Sequence, residues 1–126
     1  MAQVVAVIGA SRNRRKFGNK AVRAFRQGGY DVIPINPRAA EIEGLPSFAS
    51  VLDVPGPIDL ATVYVQPGIG PHIMDELAEK GVSHVWLNPG ADAPDVVTRA
   101  EALGLQPILE CSIVAIGDSP AFYPDH

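Results

Sequence analysis

Residues 4–19 read VVAVIGASRNRRKFGN, and this stretch decides the fold class. Val4–Ile8 is a continuous apolar run, rich in β-branched residues, that ends in Gly9, a pattern typical of a strand buried on both faces. After a polar loop, Asn19–Gln27 carries apolar and basic residues on opposite helical faces, and Gly28 follows as a stop signal. A strand, a glycine-containing loop and an amphipathic helix predict the first βα unit of an α/β domain.

The same alternation continues along the rest of the chain. Further strands are predicted at Asp31–Ile35, Leu60–Val65, Ser83–Leu87 and Pro107–Leu109, and helices near Ser47–Leu52, at Pro71–Lys80 and between Asp92 and Gly104. Ser47 and Asp92 are the candidate N-caps of the first and last of these helices. Strands that alternate with helices imply right-handed crossovers. The sequence therefore predicts one Rossmann-like, doubly wound domain over residues 1–126. Its five-stranded, mainly parallel sheet has the expected order 3-2-1-4-5, with helices on both faces. The tail, residues 111–126, is given no placement.

Composition restricts the class of protein. A chain of 126 residues, 47% hydrophobic and 19% charged, is long and apolar enough for one folded domain and unlike a disordered tail. Its apolar runs are too short to span a membrane. Cys111 is the single cysteine, which excludes an intrachain disulfide, and His72, His84 and His126 have no metal-ligand spacing with it. We expect a soluble cytoplasmic domain without a metal site.

Charge is distributed unevenly along the chain. Residues 1–38 carry eight basic side chains and one acidic one, a net +7, whereas residues 39–126 carry two basic and thirteen acidic ones, a net −11. A positive end of this kind favours an anionic ligand there, although solvated helix-face charges are the alternative explanation. The acidic remainder would repel nucleic acid, so we expect a small anionic molecule.

The loop after the first predicted strand has features of a phosphate site. In a parallel sheet, ligands bind beyond the carboxyl ends of the strands, where the strand order reverses. Gly9 and Ala10 let the backbone approach a ligand, Ser11 adds a hydroxyl, and the next helix offers free N–H groups. The loop is neither a G-x-G-x-x-G fingerprint, because Ser11 stands at the second glycine, nor a P-loop. The alternative is that Gly9 and Gly18 only shape a turn.

The remaining loops discriminate between ligands. An NAD site has an acidic residue after its second strand, but here Asn36 and Arg38 occupy that region, which favours a ribose bearing an extra phosphate, as in NADP or coenzyme A (CoA). A plain Asn-Pro turn is equally compatible with these residues. The loop after the third strand is stiff and apolar, and the fourth offers one amide, Asn88. No nucleophile elbow, H-E-x-x-H motif or pair of carboxylates accompanies them, so no catalytic constellation is predicted.

Taken together, the order and spacing of these loops resemble the CoA-binding domain family, the Rossmann-like module found at the N-terminus of the succinyl-CoA synthetase α subunit. The segments that carry the resemblance are Val5–Ser11, Lys16–Asn19, Val32–Arg38, Gly44–Phe48, Val54–Ala61 and Gly81–Leu87. They cover about residues 4–110. Gln66 separates Val65 from Pro67 where the synthetase has a proline directly after the valine. The synthetase's phosphohistidine belongs to a separate domain, so the resemblance carries no catalytic residue.

The resemblance implies CoA, or an acyl-CoA, lying across the strand ends. The implied binding residues are Gly9, Ala10, Ser11 and Arg12 at the phosphates, Ile35, Asn36, Pro37 and Arg38 beside the phosphorylated ribose, Tyr64, Val65, Gln66 and Pro67 along the adenine or pantetheine, and Leu87 and Asn88 near the thiol, with Lys16 and Phe17 completing the set. The expected function is a stand-alone CoA-binding protein without catalytic machinery, whose protein partner, if any, is not indicated. The alternatives are an NADP-binding redox sensor or reductase domain, a small enzyme using Cys111 or His72 on a CoA thioester, and a regulatory domain with an emptied pocket.

Overall fold

A five-stranded parallel sheet forms the centre of the structure, a computed structural model that describes residues 2–126. Its strands are β1 (Val4–Ile8), β2 (Asp31–Ile35), β3 (Leu60–Val63), β4 (His84–Leu87) and β5 (Gln106–Ile108). The helices are α1 (Phe17–Gln27), α2 (Gly70–Lys80), α3 (Pro94–Ala102) and the short α4 (Ser112–Ala115). Glu41–Ile42 and Leu45–Pro46 form a separate hairpin, and single 3₁₀ turns occur at Val51–Asp53, Pro67–Ile69 and Pro120–Phe122.

Two apolar layers cover the two faces of the sheet. On one face, Phe25 of α1 is fully buried and packs edge-on against Tyr30 and near Trp86, and Ile113 of α4 is buried in the same cluster. On the other face, Met74 and Leu77 of α2 share a core with α3. These layers confirm the predicted α/β class, with a five-stranded parallel sheet and helices on both faces. No helix within residues 2–126 has the length and hydropathy to cross a membrane.

The strand order differs from the prediction. It is β2-β1-β3-β4-β5, so that β3 lies beside β1, at the register Val5 to Leu60, and not beyond β2. The expected order 3-2-1-4-5 was therefore wrong. Pro34 explains the difference: its carbonyl accepts from Phe48 N on the side of β2 away from β1, where another strand would also need the N–H that proline lacks. Proline in this position makes β2 an edge strand.

The observed strand order also changes where the strand order reverses, which is the place where ligands bind in such sheets. With β2 on one side of β1 and β3 on the other, the crevice opens between the loops that follow β1 and β3. The predicted order would have placed the loop after Leu87 beside the first loop. In the structure the segment Tyr64–Gln66 takes that place, and Tyr64 N donates to the Ile8 carbonyl at 2.8 Å.

Several local predictions also need correction. The region of the predicted Ser47–Leu52 helix holds only the 3₁₀ turn Val51–Asp53, whose cap is Ser50, accepting from Leu52 N, and not Ser47. Asp92 does not cap α3; its carboxylate accepts from Gly90 N instead. The tail acquires a definite position because Ile113 enters the core beside α1.

Candidate functional site

A cleft of about 840 Å³ opens at the carboxyl ends of β1 and β3. Its volume lies within the range typical of sites for drug-sized ligands and cofactors. Twelve of the predicted residues line it: Gly9, Ala10, Ser11, Lys16, Phe17, Ile35, Asn36, Pro37, Arg38, Tyr64, Val65 and Gln66. The structure thus brings all four predicted loops to one opening, the fourth through Pro89 and Gly90 and not through Leu87 and Asn88.

Two glycines set the shape of the loop between β1 and α1. Gly9 has φ +88°, and a Cβ there would lie 3.0 Å from the backbone carbonyl atoms of Tyr64. A Cβ on Gly18, in the first turn of α1, would lie 2.2 Å from the Gly9 carbonyl oxygen. Both positions therefore require glycine, and their close approach brings the start of α1 directly against the end of β1.

Hydrogen bonds hold the rest of this loop. The Ser11 hydroxyl accepts from Asn13 N at 3.0 Å, which leaves its own proton to donate to a ligand oxygen. The Ser11 carbonyl accepts from Nδ2 of Asn19 at 2.8 Å, and Asn19 is completely buried. Asn19 lies in the segment that carries the family resemblance, but its loop-holding role was not foreseen.

Asn36 joins the first two loops to each other. Its Nδ2 donates to the Ala10 carbonyl at 2.8 Å, and its Oδ1 accepts from Arg38 N at 2.7 Å. The side chain that was predicted to flank a ribose is therefore engaged with the protein, as in the Asn-Pro turn that the sequence left open. Asn36 therefore orients the backbone of the loop that contains Arg38.

The basic residues of the first third of the chain separate into two groups. Lys16 and Arg38 are exposed and line the cleft, whereas Arg12, which is also exposed, does not line it. Three others bind acidic or carbonyl groups of the protein: Arg14 pairs with Glu43, Lys20 with Asp125, and Arg23 donates to the Pro124 carbonyl and lies over the Tyr123 ring. Much of the predicted cationic cluster thus holds the hairpin and the tail.

Glu43 is the acceptor at the centre of this network. Its carboxylate receives Arg14 Nη2 at 2.8 Å and Nε at 3.1 Å, and Asn19 Nδ2 at 3.0 Å. The hydrogen bonds from Arg14, with a smaller contribution from Asn19, lower the pKa of Glu43 to about 2. The carboxylate is therefore ionised at all ordinary pH values and links the hairpin to the loop between β1 and α1.

Besides Arg12, two predicted residues do not reach the cleft. Leu87 is completely buried, and Asn88, 1% exposed, has its amide donating to Thr62 and to the Val63 carbonyl while its oxygen accepts from Ser112 N. The next residues of this loop, Pro89 and Gly90, line the cleft instead. Pro67, another of the predicted residues, begins a 3₁₀ turn, and its side chain lies outside the described part of the structure.

The hydroxyl of Tyr64 links the cleft to that buried polar cluster. It hydrogen-bonds Ser112 Oγ at 3.0 Å, and Ser112 in turn bonds Thr62 at 2.6 Å. Burial raises the pKa of Tyr64 to about 12, so the phenol stays neutral near pH 7. Tyr64 therefore presents a fixed, uncharged surface to the cleft.

The start of α2 supplies lining residues that the prediction did not include in the set. Ile69, His72, Ile73 and Glu76 recur at helical spacing and face the opening. His72 Nε2 lies 3.6 Å from Glu76 Oε2, which also accepts from Ser50 Oγ at 3.0 Å. The i, i+3, i+4 spacing after the third loop was the available signal. Cys111 is partly exposed and does not line the cleft.

Comparison with known proteins identifies relatives of this arrangement. The model of a family described as "CoA binding domain" matches residues 3–117. Acetate–CoA ligase [ADP-forming] II of Archaeoglobus fulgidus is 41% identical over 80 residues, which are 62% of this chain and 12% of that protein. The uncharacterized protein YneT of Bacillus subtilis is 28% identical over 86 residues, 68% of this chain and 64% of that one. The chain thus spans about an eighth of the length of the ligase.

Solved structures agree with these sequence matches. A hypothetical protein from Pyrococcus horikoshii superposes with a TM-score of 0.82 at 26% identity, over 89% of this chain and 79% of that one. The dinucleotide forming acetyl-coenzyme A synthetase 1 of Ca. Korarchaeum cryptofilum superposes with a TM-score of 0.74 at 27% identity, over 84% of this chain and 25% of that one. The resemblance expected from the sequence is confirmed: the chain belongs to the CoA-binding domain family.

Proposed function

We propose that the cleft binds CoA or an acyl-CoA and that this chain contributes binding without catalytic machinery of its own. One observation carries the proposal: the glycine-containing loop at Gly9–Ser11 and the Arg38 loop line the same cleft, at the point where the strand order reverses. A phosphate loop and a nearby arginine suit a ligand with a diphosphate and a separate ribose phosphate.

The apolar part of the cleft supports a ligand with an uncharged chain. Phe17 and Ile69 are more than half exposed and line the cleft, as do Val65 and Ile73. An extended pantetheine can bury part of this surface while its amides stay near the polar edge. At about 25 cal/mol per Å² of apolar surface removed from water, such contacts add to the phosphate interactions.

The engagement of Asn36 disfavours NAD. An NAD site uses a carboxylate to accept both ribose hydroxyls, and here the corresponding oxygen already accepts from Arg38 N. NADP stays a competitor because it shares a phosphorylated ribose with CoA. The two ligands differ in the position of that phosphate and in the group attached to the far end of the diphosphate.

Calorimetric titration with CoA, dephospho-CoA, NADP and NAD tests the proposal. We expect CoA to bind, dephospho-CoA to bind more weakly, and both dinucleotides to bind more weakly than CoA. Binding of NADP alone would replace the proposal with a redox-cofactor site, and absence of binding by all four ligands would refute nucleotide binding altogether.

A further inference from the structure

The turn of the small hairpin contains the one non-glycine residue with positive φ found within residues 2–126. Glu43 has φ +51° and the following Gly44 has φ +77°. The hairpin pairs Ile42 with Leu45, so Glu43 and Gly44 are the two central residues of a tight turn of the type that requires positive φ at both positions. Asparagine and aspartate are favoured at the first of these positions, whereas glutamate is not.

The side chain of Glu43 explains why glutamate stands there. Its side chain extends from the hairpin to both Arg14 and Asn19, and its two carboxylate oxygens accept hydrogen bonds from them at 2.8 to 3.1 Å. Arg26 adds a bond from its Nη1 to the Glu43 carbonyl at 2.7 Å. A strained backbone at a residue bonded by three side chains of other segments indicates that the side chain of Glu43 has a structural role.

Glu43 holds the loop that lines the cleft. The Asn19 amide nitrogen that donates to Glu43 also donates to the Ser11 carbonyl, and Asn19 Oδ1 accepts from Arg23 Nε at 2.8 Å. Hydrogen bonds therefore hold both ends of the Asn19 amide, in the orientation that donates to Ser11. Glu43 itself is absent from the residues that line the cleft.

We propose that Glu43 is a positioning residue: through Asn19 and Arg14 it fixes the Gly9–Ser11 loop in the conformation that receives the diphosphate of the ligand. This proposal rests on the proposed function, since it concerns the same cleft. Glu43 does not line the cleft, so the hairpin would affect ligand affinity indirectly.

The substitution Glu43→Asn separates this role from simple folding. Asparagine tolerates positive φ, so the turn loses strain, but its shorter side chain cannot bridge to Arg14 and Asn19. Because relief of the strained turn offsets part of the lost ion pair, we expect the melting temperature of Glu43→Asn to fall by only a few degrees, while the Kd for CoA rises about tenfold, as for the loss of a charge-assisted hydrogen-bond network. Glu43→Gln, which keeps the side-chain length, provides a second variant should Glu43→Asn fail to fold. Glu41→Gln, an exposed position of the same hairpin, is the matched control and should bind as the wild type.

A second readout distinguishes loop positioning from a general loss of structure. Because the proposed contact of the loop is with the diphosphate, Glu43→Asn should weaken CoA and dephospho-CoA by the same factor, and amide hydrogen exchange at residues 10–13 should accelerate. A folded variant that binds CoA within twofold of the wild type overturns the positioning role and leaves the proposed function intact. Failure of the wild type itself to bind CoA overturns the proposed function and this role with it.

Discussion

The polar side chains around this cleft are of two kinds. Some can contact a ligand directly, and others position the loops that contact it. Asn36 and Asn19 are both polar and close to the cleft, yet both amides are engaged with backbone carbonyls of the first loop. Lys16 and Arg38 line the cleft and are exposed. Affinity for an anion should therefore depend directly on the two cations and indirectly on the two amides.

Arg38→Ala tests the assignment of the ribose phosphate. We expect it to weaken CoA binding by about 1–3 kcal/mol, the value of a charge-assisted hydrogen bond, and to weaken dephospho-CoA much less because that ligand lacks the phosphate. Arg12→Ala is the matched comparison, since Arg12 is an exposed cation of the first loop that does not line the cleft. Calorimetry measures the affinity of each variant for CoA and for dephospho-CoA relative to the wild type. Equal losses for the two ligands would place the phosphate elsewhere, and a larger loss in Arg12→Ala would restore Arg12 to the site.

Gly18→Ala tests the close approach of α1 to β1. Alanine would ordinarily favour a helix by about 1 kcal/mol over glycine, but here its Cβ would lie 2.2 Å from the backbone oxygen of Gly9. Because that atom belongs to the backbone, the helix or the loop must move, and we expect a loss of about 2–4 kcal/mol in the free energy of unfolding. Gly68→Ala, where a Cβ would meet nothing within 4 Å, should change stability by less than about 0.5 kcal/mol. Denaturant unfolding of the two variants decides the matter, and equal stability would contradict the tight contact.

At the scale of elements, the strands and the long helices were predictable because their apolar periodicity is strong. The five strands and α1, α2 and α3 all occur within a few residues of their expected bounds. The hairpin at 41–46 was missed because each of its strands has only two residues, too few to show alternation. The partners of Arg14 were equally beyond prediction, since Glu43 lies 29 residues away and reaches it only after the chain has folded.

The ion pair between the hairpin and the first loop gives stability a pH dependence. The pKa of Glu43 is lowered in the folded state to about 2 from its ordinary value near 4.5, so its contribution is complete above the ordinary pKa and is lost as the pH falls toward about 2. We expect protonation of this carboxylate to lower the free energy of unfolding by about 1–2 kcal/mol. This value allows for solvent screening of a pair in which the arginine side chain is 40% exposed.

Urea unfolding at several pH values between about 2 and about 6 measures this contribution. Glu43→Gln should flatten the acid limb of the profile relative to the wild type, whereas Glu41→Gln should leave it unchanged. If the profile of Glu43→Gln parallels that of the wild type over this range, the pair does not contribute as its geometry indicates.

At the scale of the whole molecule, charge and strand order together locate the cleft. Pro34 disfavours a full strand beyond β2, where the single residue Phe48 bridges to Ile35, and β3 lies beside β1 instead. The sequence contained this information, because proline in a strand marks an edge. The uneven distribution of charge was also visible in the sequence, but the partners of the individual basic side chains were not. Lys20 and Arg23 bind residues of the tail, which lie 101 to 105 positions further along the chain. The net charge of a segment therefore overstated the positive charge that faces the cleft.

This division of the basic residues predicts a moderate dependence of binding on salt. If all eight basic side chains of residues 1–38 attracted the ligand, raising the salt would weaken CoA binding steeply, as for proteins that contact many phosphates. With Lys16 and Arg38 as the cations lining the cleft, we expect the Kd for CoA to rise only about three- to tenfold between about 0.05 M and about 0.5 M salt. Titration of the wild type at both concentrations measures this, and Arg38→Ala should show a shallower dependence. A change of a hundredfold or more would mean that Arg12, Arg15 or the paired arginines also act on the ligand, and no change would mean that the phosphates lie away from both cations.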